Sequence, residues 1–136
     1  MFKVFYQPGP TPPLSEVLIE APRKDYKSLA QTVNQVLATG TAASVSVESH
    51  GDFPVKRLSF RAGNRPSRVS VENDEVVFSI SPEQRESFIS FLEFPADEDL
   101  PTAPVAYHHH YDNVWDETGE NIARDCVSVV FALLRE

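Results

Sequence analysis

The chain has 136 residues, of which 41% are hydrophobic and 10% aromatic, and its formal net charge is −8 at pH 7. This composition suggests one domain over residues 1–136 and excludes a disordered acidic chain, which would be poorer in apolar side chains. No apolar run is long enough to cross a bilayer, and the N-terminus lacks a signal-peptide pattern. A single cysteine, Cys126, excludes an internal disulfide and zinc sites with several thiolates. We therefore expect a soluble cytoplasmic protein with no membrane partner.

Most of the chain reads as short strands in which apolar and polar residues alternate. The last of them is apolar on nearly both faces, so we expect it to be central in a sheet. The predicted strands are residues 2–6, 15–21, 43–49, 55–60, two strands within 67–81 joined at Asn73–Asp74, then 105–112 and 126–134.

A first helix is predicted over residues 25–40. Asp25 can cap its start, and Gly40 follows its end. The apolar residues that share one face of this helix are Leu29, Val33, Val36 and Leu37.

A second helix is predicted over residues 81–94. Ser81 is the expected N-cap, Pro82 occupies the first helical position, and Gln84 would complete a capping box. Its buried stripe would consist of Phe88, Ile89, Phe91 and Leu92. These elements together predict an α+β domain, with a single mostly antiparallel β-sheet and two α-helices packed on it.

The charge is unevenly distributed along the chain. Residues 93–125 contain nine acidic residues and one basic residue, whereas residues 1–92 are balanced. This segment could be a solvated surface, or it could steer a cationic partner. The basic stretch 55–68 has one aromatic residue, Phe60, which alternates with Leu58 as a buried pair would, so no nucleic-acid partner is expected.

Three consecutive histidines lie within the acidic segment. In a strand, Tyr107, His109 and Tyr111 would point to one face. The opposite face would carry His108, His110 and Asp112, which could in principle hold zinc or iron in a small metal-dependent enzyme. A metal site needs further ligands, and the surroundings of the remaining histidine, His50, do not suggest a second half-site. We therefore assign no metal, no cofactor and no catalytic residues.

Recognition is the alternative interpretation of this segment. Tyrosine and tryptophan provide large apolar area with a polar tip, and carboxylates favour fast association with a cationic protein. Trp115 and one tyrosine could instead fill the core. The predicted partner-binding residues are Asp97, Glu98, Asp99, Tyr107, His108, His110, Tyr111, Asp112, Trp115, Asp116, Glu117 and Glu120.

The second half of the chain resembles the bacterial immunity proteins of the immunity protein 32 type. The resemblance covers residues 67–134 and lies in the order of the segments: "VVFSISPEQRESFISFLEF", a Pro/acid loop, "YHHHYD" and the apolar "VSVVFALL". It implies a cytoplasmic protein that binds and neutralises a toxin and performs no chemistry. An acidic inhibitor that mimics nucleic acid is a further alternative, as is the metal-dependent enzyme.

Overall fold

A computed structural model describes residues 1–114, 116 and 118–135, and in these residues the chain forms two α-helices and nine strands. The helices are α1 (Arg23–Thr39) and α2 (Arg85–Ser90). Single 3₁₀ turns cover Pro12–Leu14, Pro82–Gln84 and Asp97–Asp99. The strands are β1 (Lys3–Gln7), β2 (Glu16–Ala21), β3 (Ala43–Ser46), β4 (Glu48–His50), β5 (Arg57–Ala62), β6 (Arg68–Glu72), β7 (Glu75–Ile80), β8 (Val105–Tyr111) and β9 (Ser128–Leu134).

Within the described residues the strands form two sheets, so the α+β class is confirmed but the prediction of a single mostly antiparallel sheet is wrong. The five-stranded sheet has the order β4-β1-β2-β9-β8, and the four-stranded sheet has the order β3-β5-β7-β6. Both are mixed, because β1–β4, β2–β9 and β5–β7 pair in parallel. The prediction that the last strand is interior is confirmed, since β9 lies between β2 and β8.

The chain passes from one sheet to the other at Val47. Residues 43–49 read as one alternating strand, but β3 pairs with β5 in one sheet and β4 pairs with β1 in the other. The N–H of Val47 donates to the carbonyl oxygen of Lys56, and the N–H of Glu48 donates to that of Phe2. Alternation predicts which face of a strand is buried, but it does not indicate which sheet the strand joins.

One hydrophobic core connects the two sheets. The rings of Phe78 on β7 and Phe131 on β9 have centroids 6.1 Å apart. Phe88 of α2 contacts both of them and Phe60 as well, in edge-to-face geometry. Burial of an aromatic side chain contributes about 1.5–3 kcal/mol. This aromatic cluster therefore holds α2 beside both sheets.

The first helix agrees with its prediction in its apolar face and its end. All four predicted apolar residues are buried, and Gly40 adopts a left-handed conformation with φ of 77°. The predicted cap is wrong, because the helix begins at Arg23, directly after Pro22. Asp25 instead accepts a hydrogen bond from the N-terminal ammonium group of Met1, at 2.8 Å.

The second helix is shorter than predicted and has no capping box. Pro82 does occupy the first position, but of a 3₁₀ turn, and the Ser81 side chain makes no capping bond. The Gln84 side chain instead accepts a hydrogen bond from the Ser67 hydroxyl, which also accepts the N–H of Ser81. A tertiary contact with the start of β6 thus replaces the local cap.

Candidate partner-binding surface

From Tyr107 to Tyr111 the side chains of the edge strand β8 alternate between two faces, and a register shift against β9 interrupts this pattern between Val105 and Tyr107. Tyr107, His109 and Tyr111 point toward α2 and the segment after it. His109 contacts the rings of Phe91 and Phe94, with centroids 6.0 and 5.0 Å away. One ring nitrogen of His109 also lies 2.7 Å from the carbonyl oxygen of Glu93. His109 therefore attaches β8 to the chain that follows α2.

The two tyrosines of β8 have different environments. Tyr111 is only 3% exposed and packs edge-on against Phe88 and Phe91, with centroids 5.3 and 5.0 Å away. Burial raises the pKa of its hydroxyl. Tyr111 is therefore a core residue, which corrects its assignment to the partner-binding surface. Tyr107 is 39% exposed although its ring contacts those of Phe94 and His109, so part of it remains accessible.

His108 and His110 project from the opposite face of β8. Both are exposed, and their ring centroids are 4.9 Å apart. In the sheet they pair with Ala132 and Val130 of β9, which are both buried. The two histidines thus form a polar pair at the margin of the five-stranded sheet.

Asp112 and His50 do not join this pair as metal ligands. The carboxylate of Asp112 accepts the N–H of Val114 at 3.0 Å. His50 belongs to β4, at the other edge of the sheet, which is about 19 Å away at a spacing of roughly 4.8 Å per strand. Among the described residues, there is no group of three or more histidines, cysteines and carboxylates that could hold a metal ion.

The turn Asp97–Asp99 approaches the Val105 end of β8 through Asp97, which lines a small cavity with Leu134, the partner of Val105, and with Arg135. Asp97 forms an ion pair with Arg23, with 3.0 Å between Oδ1 and Nη2. The same guanidinium donates to the carbonyl oxygens of Phe94 and Pro95, at 3.1 and 2.5 Å. Glu98 and Asp99 are exposed beside this cluster. Arg23 therefore positions the acidic turn through a contact across more than 70 residues, which no local sequence pattern indicates.

The remaining described acids of the predicted surface follow the opposite end of β8. Asp112 is half-buried, and Glu120 is exposed. The length of β8 separates the two acidic groups by about 20 Å, at roughly 3.3 Å per residue. The structure thus divides the acidic segment into two groups that flank β8. Trp115 and Glu117, which are also predicted partner-binding residues, lie outside the described residues.

Asp116 has a structural role in its loop. Its Oδ2 accepts the backbone N–H groups of Asn121 and Ile122, each at 2.8 Å, and Oδ1 accepts the Thr118 hydroxyl at 3.2 Å. The bonds from Ile122 and then Asn121 hold the pKa of Asp116 below its usual range. These contacts engage both carboxylate oxygens, so Asp116 holds the loop 116–122 together.

Most cations of the basic stretch form ion pairs with acids from other segments. Arg57 pairs with Glu75 at 2.6 Å, and Arg68 pairs with Asp125 at 2.8 Å. Arg65 lies 3.5 Å from Glu83 and donates to Asn121 and to the carbonyl oxygen of Glu120. Phe60 and Leu58 are buried, as the alternation predicts. Of these ion pairs, Arg68–Asp125 alone neutralises an acid of residues 93–125.

Cys126 is a buried free thiol. Its Sγ accepts the N–H of Val69 at 3.3 Å and lies 3.3 Å from the carbonyl oxygen of Val127. Burial raises the pKa of this thiol to about 11. At neutral pH the thiol is protonated, and a protonated thiol is a poor nucleophile.

Comparison of the chain with models of protein families, with curated proteins and with solved structures found no match. Neither helix of the described chain has the length and apolar character needed to cross a membrane.

Proposed function

We propose that this protein is a non-catalytic immunity protein of the cytoplasm, which binds and neutralises a cognate toxin enzyme with a cationic surface. The observation that carries the proposal is the position of β8. This strand is at the edge of its sheet, it exposes Tyr107, His108 and His110, and an acidic group flanks each of its ends. An aromatic side chain with carboxylates around it suits a protein interface that recognises positive charge.

The net charge of −8 supports the same proposal. Some acids of residues 93–125 are compensated within the fold, notably Asp97 by Arg23 and Asp125 by Arg68. Glu98 and Asp99 are exposed, and no ion pair in the described residues includes them. Such charges raise the rate at which a cationic partner associates, and salt screens this effect over about 8 Å at physiological ionic strength.

Growth rescue tests this proposal directly. The chain would be co-expressed in a bacterial host with the toxin domain encoded beside its gene, and growth is expected to be restored. The purified proteins should form a stable complex in which the toxin is inactive at equimolar ratio. A toxin domain encoded elsewhere, with similar net charge, serves as the control for nonspecific charge pairing. A toxin that stays active and unbound at excess inhibitor would contradict the proposal.

A further inference from the structure

The edge of β8 is the longest free sheet edge in the part of the chain that the structure describes. The other edge strands have three residues in β4, four in β3 and five in β6, whereas β8 has seven. The edge of β6 is covered by the segment 121–127, which exchanges backbone hydrogen bonds with Ser67 and Val69. An unpaired edge strand can accept a strand from another chain.

The direction of the backbone groups along β9 follows from two hydrogen bonds at its ends. Arg135 donates its N–H to the carbonyl oxygen of Pro104, on the β8 side, at 3.1 Å. Ser128 donates its N–H to the carbonyl oxygen of Ser15, on the β2 side, also at 3.1 Å. Because successive residues of a strand direct their backbone groups to opposite sides, the odd-numbered residues of β9 bond to β8.

The register then shows which backbone groups of β8 are free. The odd-numbered residues of β9 are the partners of Tyr107, His109 and Tyr111. The backbone groups of these three residues therefore point toward β9. The N–H and C=O groups of His108 and His110 point away from β9, toward the open edge of the sheet.

We propose that His108 and His110 offer these backbone groups to an extended segment of a cationic partner protein, which adds to β8 as a sixth strand of the sheet. Strand addition obtains affinity from main-chain hydrogen bonds, and side chains at alternate positions provide selectivity. Here the two exposed imidazoles and Tyr107 border the added strand. The inference rests on the proposed function, because the toxin would be the protein that provides this strand.

Charge favours a cationic segment over a second copy of this chain. In antiparallel pairing of two β8 strands, the Val105 end of one copy would meet the Tyr111 end of the other. The acids Asp97–Asp99 would then approach Asp112 of the second copy, and each copy carries a net charge of −8. Like charges at these positions oppose association, whereas lysine or arginine at both ends of an added strand would complement them.

A pair of synthetic peptides tests the inference without knowledge of the toxin. Both peptides alternate threonine and valine, and one has lysines at both ends while the other has glutamates. In amide hydrogen exchange followed by NMR, the lysine peptide is expected to protect the His108 and His110 amides at low salt. The His109 amide already bonds to β9 and should not change. Protection by both peptides alike, or by neither at millimolar concentration, would contradict the inference.

Proline substitution separates backbone contacts from side-chain contacts. His110→Pro removes only an N–H that points away from the sheet, and edge strands tolerate proline at such positions. This substitution should weaken peptide binding about tenfold or more. His110→Ala keeps the N–H and should bind within about threefold of the wild type. The matched control His109→Pro removes an N–H directed at β9 and should lower the melting temperature instead. If His110→Pro does not fold, the exchange measurement on the wild-type protein still decides.

Three further outcomes are informative. A dimer in sedimentation experiments that His110→Pro abolishes would show a second copy on this edge, and would overturn the cationic occupant. Neutralisation of the toxin by His110→Pro at wild-type strength would overturn the inference but leave the proposed function intact. Peptide binding at β8 without neutralisation of any toxin would support the inference but overturn the proposed function.

Discussion

The hydroxyl oxygen of Tyr26 lies 2.7 Å from the backbone carbonyl oxygen of Ala132. This contact joins the first turn of α1 to the interior strand β9, across more than 100 residues. The same hydroxyl lies 3.1 Å from the carbonyl oxygen of Ile19 on β2, which pairs with β9 in parallel. Tyr26 is fully buried, and burial raises the pKa of its hydroxyl far above the usual range. The helix is thus attached to the sheet where β2 and β9 meet.

Removal of that hydroxyl should destabilise the fold modestly. Tyr26→Phe keeps the ring but leaves two buried carbonyl oxygens without this donor, so we expect the free energy of unfolding to fall by about 1–2 kcal/mol. Tyr26→Ala also creates a cavity and should cost about 3–5 kcal/mol. Urea denaturation of the two variants measures both values. Tyr6→Phe, which changes a half-buried tyrosine, is the control and should have little effect.

The turn between β6 and β7 depends on Asn73. Its φ of 58° lies in the left-handed region, where asparagine and glycine are tolerated better than other residues. Asn73→Ala should lower the free energy of unfolding by about 1 kcal/mol, whereas Asn73→Gly should be close to neutral. At exposed Asn34 within α1, the glycine variant should instead have the lower free energy of unfolding, because glycine destabilises a helix relative to alanine.

Local patterns predicted most of the elements of this fold but not their assembly. The turn at Asn73–Asp74 and the end of α1 at Gly40 follow from residues a few positions apart. The parallel pairing of β2 with β9 joins segments at opposite ends of the chain, and no local pattern contains it. The missing capping box of α2 has the same explanation, since Ser67 binds the Gln84 side chain that would have formed it.

The candidate site was predictable as a strand but not as a charged surface. Alternation correctly separated Tyr107, His109 and Tyr111 from His108 and His110, but it did not indicate which of the two faces meets solvent. The charge of residues 93–125 gave no information about the cations that fold against it, because Arg23, Arg65 and Arg68 come from distant segments. Nor does the sequence indicate that Asp116 uses both of its carboxylate oxygens within its own loop.

Asp116 should make the stability of its loop depend on pH. Its pKa is lower in the folded state than in the unfolded state, so its contribution is fully present above the unfolded value of about 4. The contribution is lost as the pH falls through the folded pKa. Asp116→Ala should therefore lower the melting temperature at pH 7, and the difference from the wild type should shrink in strong acid. Asp52→Ala is the control, because Asp52 is exposed in a turn and should show no such trend.

The Cys126 thiol should be inert in the native protein. Its side chain is 1% exposed and its pKa is about 11, so both access and thiolate formation are unfavourable at pH 7.5. A chromogenic disulfide reagent should react slowly with native protein and within minutes in denaturant. Rapid labelling under native conditions would show that β6 and the segment before β9 separate readily, since the thiol bonds to Val69.

Charge reversal near β8 should slow association with the toxin, if the proposed function is correct. Glu98→Lys combined with Asp99→Lys changes two exposed acids at the Val105 end of β8 and breaks no ion pair of the described residues. Because such charges act on diffusional encounter, the association rate should fall about tenfold at low salt, and its salt dependence should flatten. The dissociation rate should change little. Stopped-flow or biolayer measurements over a range of salt concentrations determine both rates.

The matched control for this charge reversal is Asp52→Lys combined with Glu72→Lys. It makes the same change in net charge on two other exposed residues. Asp52 follows β4, at the far edge of the five-stranded sheet, and Glu72 ends β6, in the other sheet. If the effect is local to β8, the control should keep most of the wild-type association rate. Equal slowing by both double variants would mean that overall charge alone attracts the toxin. Wild-type rates and salt dependence for Glu98→Lys/Asp99→Lys, with the fold intact, would place the interface away from this acidic group.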